Sequence, residues 1–133
     1  MSLVSTLALA LTGGLSGVYG YLFLASPSSL ISAYRDSSFA VDELMSSVCK
    51  YYGATLLVVA FLTLHYIPFP EKHGPGLRLS MMLALSYCAV AAHTLFMGGS
   101  GNEEAARRTL MVQGVAFVVS FVGAKAAPKK KKD

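Results

Sequence analysis

Charge is scarce in this sequence. Of its 133 residues only 14% are Asp, Glu, Lys or Arg, while 54% are hydrophobic; soluble domains carry charge on about a quarter of their residues. That excludes an ordinary soluble domain and makes a lipid bilayer the expected solvent. Cysteine is scarce too: Cys49 and Cys88 share no short spacing and sit within or beside apolar stretches. A disulfide framework and a zinc motif are thereby excluded, and both thiols read as small packed side chains. Acidic residues are missing from all the long apolar runs, so a diiron site built on Glu-x-x-His pairs has no ligands. Transport usually places charges or broken helices at mid-depth, and the sequence offers neither.

What is present is four long apolar stretches. A hydrocarbon core of about 30 Å needs about 20 helical residues, and runs at about 3–25, 48–67, 79–97 and 109–124 meet that length. The expected fold is therefore all-α: one transmembrane domain over 1–133, an integral membrane four-helix bundle with a basic tail at 125–133. The first run has no basic residue before it and is too long for a signal peptide, so it counts as a span. Ser26 and Pro27 have the character of an N-cap and first helical residue. They predict a short amphipathic surface helix over Ser28–Tyr34, with Leu30, Ile31 and Tyr34 on one face. Pro68 and Pro70 end the second span, and the Pro/Gly-rich stretch 68–76 reads as a turn. Gly98–Gly101 ends the third span, and Asn102 with Glu103 and Glu104 has the capped acidic first turn of the last helix.

Four spans put both termini on the same side. That side carries Lys72, Arg78, Lys125 and Lys129 to Lys132, whereas Arg35, Lys50, Arg107 and Arg108 lie opposite, with Asp36, Asp42, Glu43, Glu103 and Glu104. The basic excess predicts termini facing the cytosol or its organellar equivalent.

Few residues invite a functional reading. His93 is the one ionisable group well inside a span, and such a group is a functional candidate because its burial in lipid is costly. It could touch a haem, a quinone headgroup or a neighbouring helix. His65 lies near the opposite end of its span, roughly 18 Å away in depth, so the two cannot share one iron. His73 falls in the Pro/Gly turn and is worse placed. Gln113 is the only amide well inside a span and reads as a helix-packing contact. Gly13, Gly14, Gly17 and Gly20, with Ala10 and Ser16, give the first span small-xxx-small spacings that let another helix approach closely. That helix could belong to this bundle or to a partner subunit. Tyr21, Tyr51, Tyr52 and Tyr66 fit an interfacial aromatic belt. Lys129, Lys130, Lys131 and Lys132 read as an anchor to anionic headgroups, each contributing about 1 kcal/mol, or as a contact to an acidic partner. Their placement also matches a dilysine endoplasmic-reticulum retrieval signal at Lys130 and Lys131. No catalytic residue, metal ligand set, cofactor or nucleic-acid contact is expected.

Two likenesses bear on topology. Phe23 to Pro27, ending the first span in a Pro-containing turn, and Lys50-Tyr-Tyr-Gly-Ala54, opening the second, resemble the small four-span membrane proteins of the DoxX-like kind. The likeness covers about a third of the chain and implies topology only. Tyr52-Gly-Ala-Thr-Leu-Leu57, His93 before a Gly-rich turn and the lysine end more faintly resemble the four-span ergosterol-biosynthesis scaffold family, which implies a tether for sterol enzymes in the endoplasmic reticulum.

The function expected from the residues is a non-catalytic accessory or scaffold subunit, contacting lipids and, through its first span, other membrane subunits. A mitochondrial respiratory-chain complex is the expected host. Met1, if it belongs to the precursor, points away from a cleaved presequence and toward the mitochondrial inner membrane rather than a thylakoid. The alternatives are an endoplasmic-reticulum tether for lipid-modifying enzymes and a small lipid- or quinone-binding enzyme built on His93 and Gln113.

Overall fold

A computed structural model describes residues 2–29, 43–97 and 103–129. It is all-α, with four long helices: α1 (Leu3–Ala25), α2 (Glu43–His65), α3 (His73–Met97) and α4 (Glu103–Ala126), plus a short 3-10 turn at Pro70–Lys72. Each is long and apolar enough to cross a membrane, and at 23 to 25 residues each reaches about 35 Å. The chain is an integral membrane four-helix bundle.

Local chemistry sets the helix ends. The Ser2 hydroxyl caps α1 by accepting the Ser5 N–H at 3.4 Å, and the Ser26 N–H closes the helix on the Leu22 carbonyl at 2.9 Å. Glu43 begins α2, and Glu103 and Glu104 begin α4, where carboxylates meet the positive ends of the helix dipoles. Pro27, Ser28 and Ser29 are helical; the remainder of the expected surface helix lies outside the described residues, as do Lys130, Lys131 and Lys132.

The third helix starts six residues earlier than the expected span. Residues 73–76 are helical rather than part of the turn. The first four N–H groups of a helix have no intrahelical acceptor, so Pro75, the third residue of α3, sacrifices no hydrogen bond. The 3-10 turn leads directly into it, with the Lys72 N–H on the Phe69 carbonyl at 2.9 Å.

Packing is unequal. The hairpins α1–α2 and α3–α4 are each tightly joined, and α1 also lies against α4 and α3. By contrast, α2 touches α3 sparingly and does not reach α4 among the described residues. The two hairpins therefore meet mainly through α1. Ala8, Leu9 and Leu77 form the apolar core near the face that carries both termini, and Ala127, just past α4, is buried there beside Gly74.

Candidate functional site

Lipid removes most of the hydrophobic drive for helix association, leaving close packing and hydrogen bonds. The bundle uses the two on adjacent faces of α1. Toward α2 it presents glycine. A Cβ built on Gly20 would lie 2.9 Å from the Gly53 carbonyl oxygen and 2.9 Å from the Leu57 nitrogen; one on Gly53 would lie 2.7 Å from the Gly20 carbonyl oxygen. The two backbones therefore touch. Gly13 faces Leu64 and Thr63, and Gly17 faces Ala60. Gly14 differs from the other three, for it is exposed and a Cβ there would meet nothing within 4 Å. Three of the four glycines of the first span are thus occupied by the chain's own α2.

Toward α3 and α4 the same helix presents hydroxyls. Ser5, Thr12 and Tyr19 recur at seven-residue spacing on α1, and His73, Ser80 and Tyr87 do so on α3. Both sets point inward. The first pair is the most completely buried: Ser5 and His73 have no exposed surface. His73 Nε2 lies 2.9 Å from the Ile67 carbonyl oxygen, which can only accept, so the Nε2 proton is donated there. Nδ1 is then an acceptor, 2.7 Å from Ser5 Oγ. The Ser5 hydroxyl also has the Ser2 carbonyl as an acceptor at 3.0 Å, so its one proton is shared between that oxygen and Nδ1. A serine on an imidazole is the geometry of an activated nucleophile. Here the pair is sealed from any substrate, and its effect is to fasten the start of α1, the α2–α3 turn and the start of α3 together.

Deeper in the membrane, Thr12, Ser16, Tyr19, Ser80, Tyr87 and Gln113 converge on a cavity of about 20 Å³, completed by Leu15, Leu56, Leu83, Ala84 and Ala116. Its only contribution from α2 is Leu56. Thr12 Oγ1 donates to the Ala8 carbonyl at 2.8 Å and Ser80 Oγ to the Gly76 carbonyl at 3.3 Å. Each hydroxyl keeps acceptor capacity for the cavity. Gln113 is 6% exposed, and its side-chain amide makes no hydrogen bond among the described residues. Ser120 Oγ is also fully buried and without a partner.

The rim on the terminal face is aromatic and basic. His65 stacks on Phe61 with centroids 5.8 Å apart and lies 5.5 Å from the Phe69 ring. Lys72 Nζ sits 4.9 Å over Phe69 and 5.6 Å over Tyr66, and Lys125 Nζ sits 5.5 Å over Phe121. Such cation–π pairs hold ammonium groups at headgroup depth. Lys129 is exposed on the same face.

The structure separates the two polar residues that the sequence singled out. Gln113 is interior. His93 is exposed and stands four residues before the end of α3, about 6 Å from it. It does not line the cavity that Gln113 lines. His73, ranked below His65 and His93 on sequence, is the buried histidine; the seven-residue step to Ser80 and Tyr87 is the signal that points to it, once the helix is allowed to begin there. Among the described residues no three His, Cys, Asp or Glu side chains are grouped to hold a metal ion. No family model, curated protein or solved structure matches the chain.

Proposed function

We propose that this protein is a non-catalytic accessory or scaffold subunit of a larger membrane assembly. The observation that carries the reading is the size of the polar cavity lined by Thr12, Ser80 and Gln113. At about 20 Å³ it accommodates roughly one water, whereas small-molecule sites run to about 300–1,000 Å³. The other buried polar arrangement, Ser5 with His73, is closed. What the chain offers to other molecules is its outer wall, including an α2 that is held almost entirely by α1.

The host we propose first is a respiratory-chain complex of the mitochondrial inner membrane. Gentle detergent extraction, blue-native electrophoresis and mass spectrometry of the band test both parts. Co-migration with a large set of respiratory subunits is the expected result. Recovery as a monodisperse monomer with no other subunit would overturn the scaffold reading, and co-isolation with a few lipid-modifying enzymes would replace the host with an endoplasmic-reticulum tether.

A further inference from the structure

The cavity between Thr12, Ser80 and Gln113 is built for something. A primary amide brings two donors and an acceptor, and in the hydrocarbon region no solvent is at hand to satisfy them. Gln113 is nonetheless buried with its amide unpaired among the described residues, on a cavity large enough for one oxygen atom and its hydrogens. Across from it, Thr12 and Ser80 have spent their protons on helix carbonyls and retain lone pairs. The lining is therefore matched to a group that both donates and accepts. No charged residue lines it, so nothing there would balance an ion.

The cavity is blind toward the terminal face. Gly123 packs so closely on Ala8 and Leu77 that a Cβ would lie 2.5 and 3.0 Å from them, and both of those residues are buried. Gln113 stands ten residues beyond Gly123 and Tyr87 ten beyond Leu77, about 15 Å deeper. On its α2 side the wall is a single residue, Leu56, where α2 and α3 are sparingly packed. Leu56 is itself buried, so entry from the bilayer along this seam requires its side chain to move aside.

We propose that the cavity is a binding site for one uncharged hydroxyl group, which accepts from the Gln113 amide and donates to Thr12 or Ser80. The group is supplied by a trapped water or by the hydroxyl head of a neutral lipid inserted through the α2–α3 seam. The site is independent of the scaffold role, and either could fail alone.

Gln113 is the only glutamine in the chain, so labelling glutamine with nitrogen-15 gives one side-chain NH2 pair. The protein is placed in phosphatidylcholine nanodiscs, whose lipid has no hydroxyl, and then in the same discs with diacylglycerol added. Cross-relaxation from the Gln113 NH2 protons to water in both preparations identifies a trapped water. Transfer to the glycerol protons on adding diacylglycerol identifies a lipid hydroxyl. An NH2 pair with neither cross-peak overturns the proposal. Thermal unfolding of Gln113→Leu gives a second reading: a lower midpoint than the parent is expected, because the bound hydroxyl loses its partner. A raised midpoint would mean that the parent amide was dry and unpaired, and would overturn the proposal as well.

Discussion

The two faces of α1 are held by different physics. Toward α2, contact is backbone on backbone through Gly20 and Gly53, with no side chain between. Toward α3 and α4 it runs through side chains: the Ser5–His73 bond, the hydroxyls of Thr12 and Ser80, and the cavity that Gln113 shares. A glycine contact depends on shape alone and tolerates no added atom. A hydroxyl seam depends on pairing, so it can be retuned or left incomplete, as Ser120 shows. The lesson is that both routes of association open to helices in lipid can be laid on neighbouring faces of one helix.

The sharpest way to break this contrast is to add one methyl group to the glycine side. Gly53→Ala would place a Cβ 2.7 Å from the Gly20 carbonyl oxygen and 2.8 Å from the Leu24 nitrogen. Backbone atoms cannot turn aside as side chains do, so the cost should reach about 3 kcal/mol or more, the upper end for overpacking. Thermal unfolding in detergent should show a large drop in midpoint. Gly14→Ala is the control: its open position should leave stability unchanged or raise it by about 0.5–1 kcal/mol, because alanine costs a helix less than glycine. Equal loss in both variants would mean that the glycines serve the helix rather than the α1–α2 contact.

On the hydroxyl side the largest effect should come from His73→Ala. It removes two hydrogen bonds and leaves the Ile67 carbonyl without its imidazole partner; each lost partner costs about 1–3 kcal/mol, and because the Ser5 hydroxyl can still turn to the Ser2 carbonyl at 3.0 Å, a total of about 2–4 kcal/mol is expected. The same unfolding assay measures it, and limited proteolysis should find the α2–α3 turn cleaved faster. His93→Ala, on an exposed position near the end of α3, should stay within about 0.5 kcal/mol of the parent. If His93→Ala were the more harmful of the two, the latch assigned to His73 would be wrong.

The sequence and the structure agree where the signal is cumulative and part where it depends on rotation about a helix axis. Twenty apolar residues in a row announce a span whatever its orientation, and the Pro and Gly punctuation marks its ends, so four helices and a shared terminal face were legible. Which face of each helix points inward was not, because apolar residues surround all four and lipid gives them no polar stripe to oppose. That is why His93, well inside its expected span, looked interior yet is exposed, and why Gly14 could not be told from Gly13. His73 was hidden by its neighbours: Pro68, Pro70 and Pro75 read as a break, although a proline in the first turn of a helix is harmless. The heptad steps Ser5, Thr12, Tyr19 and His73, Ser80, Tyr87 do carry the inward face. In a membrane chain it is the spacing of the polar minority, not of the apolar majority, that fixes helix rotation.

The smallest expected effect tests whether the hydroxyl seam is selected for pairing at each position. A helical serine ordinarily folds its hydroxyl back onto a carbonyl in the preceding turn, but Ser120 Oγ is fully buried and makes no such bond. Removing a buried hydroxyl that has no partner removes a desolvation cost and almost no contact. Ser120→Ala should therefore be neutral or stabilising by up to about 1 kcal/mol, read as an unchanged or slightly raised midpoint. Thr12→Val is the companion, because its hydroxyl is bonded to Ala8 and faces the cavity; its loss should lower the midpoint. If Ser120→Ala were instead the more destabilising, the Ser120 hydroxyl must find a partner in the membrane, and the seam would extend one helical turn further toward the terminal face than the cavity does.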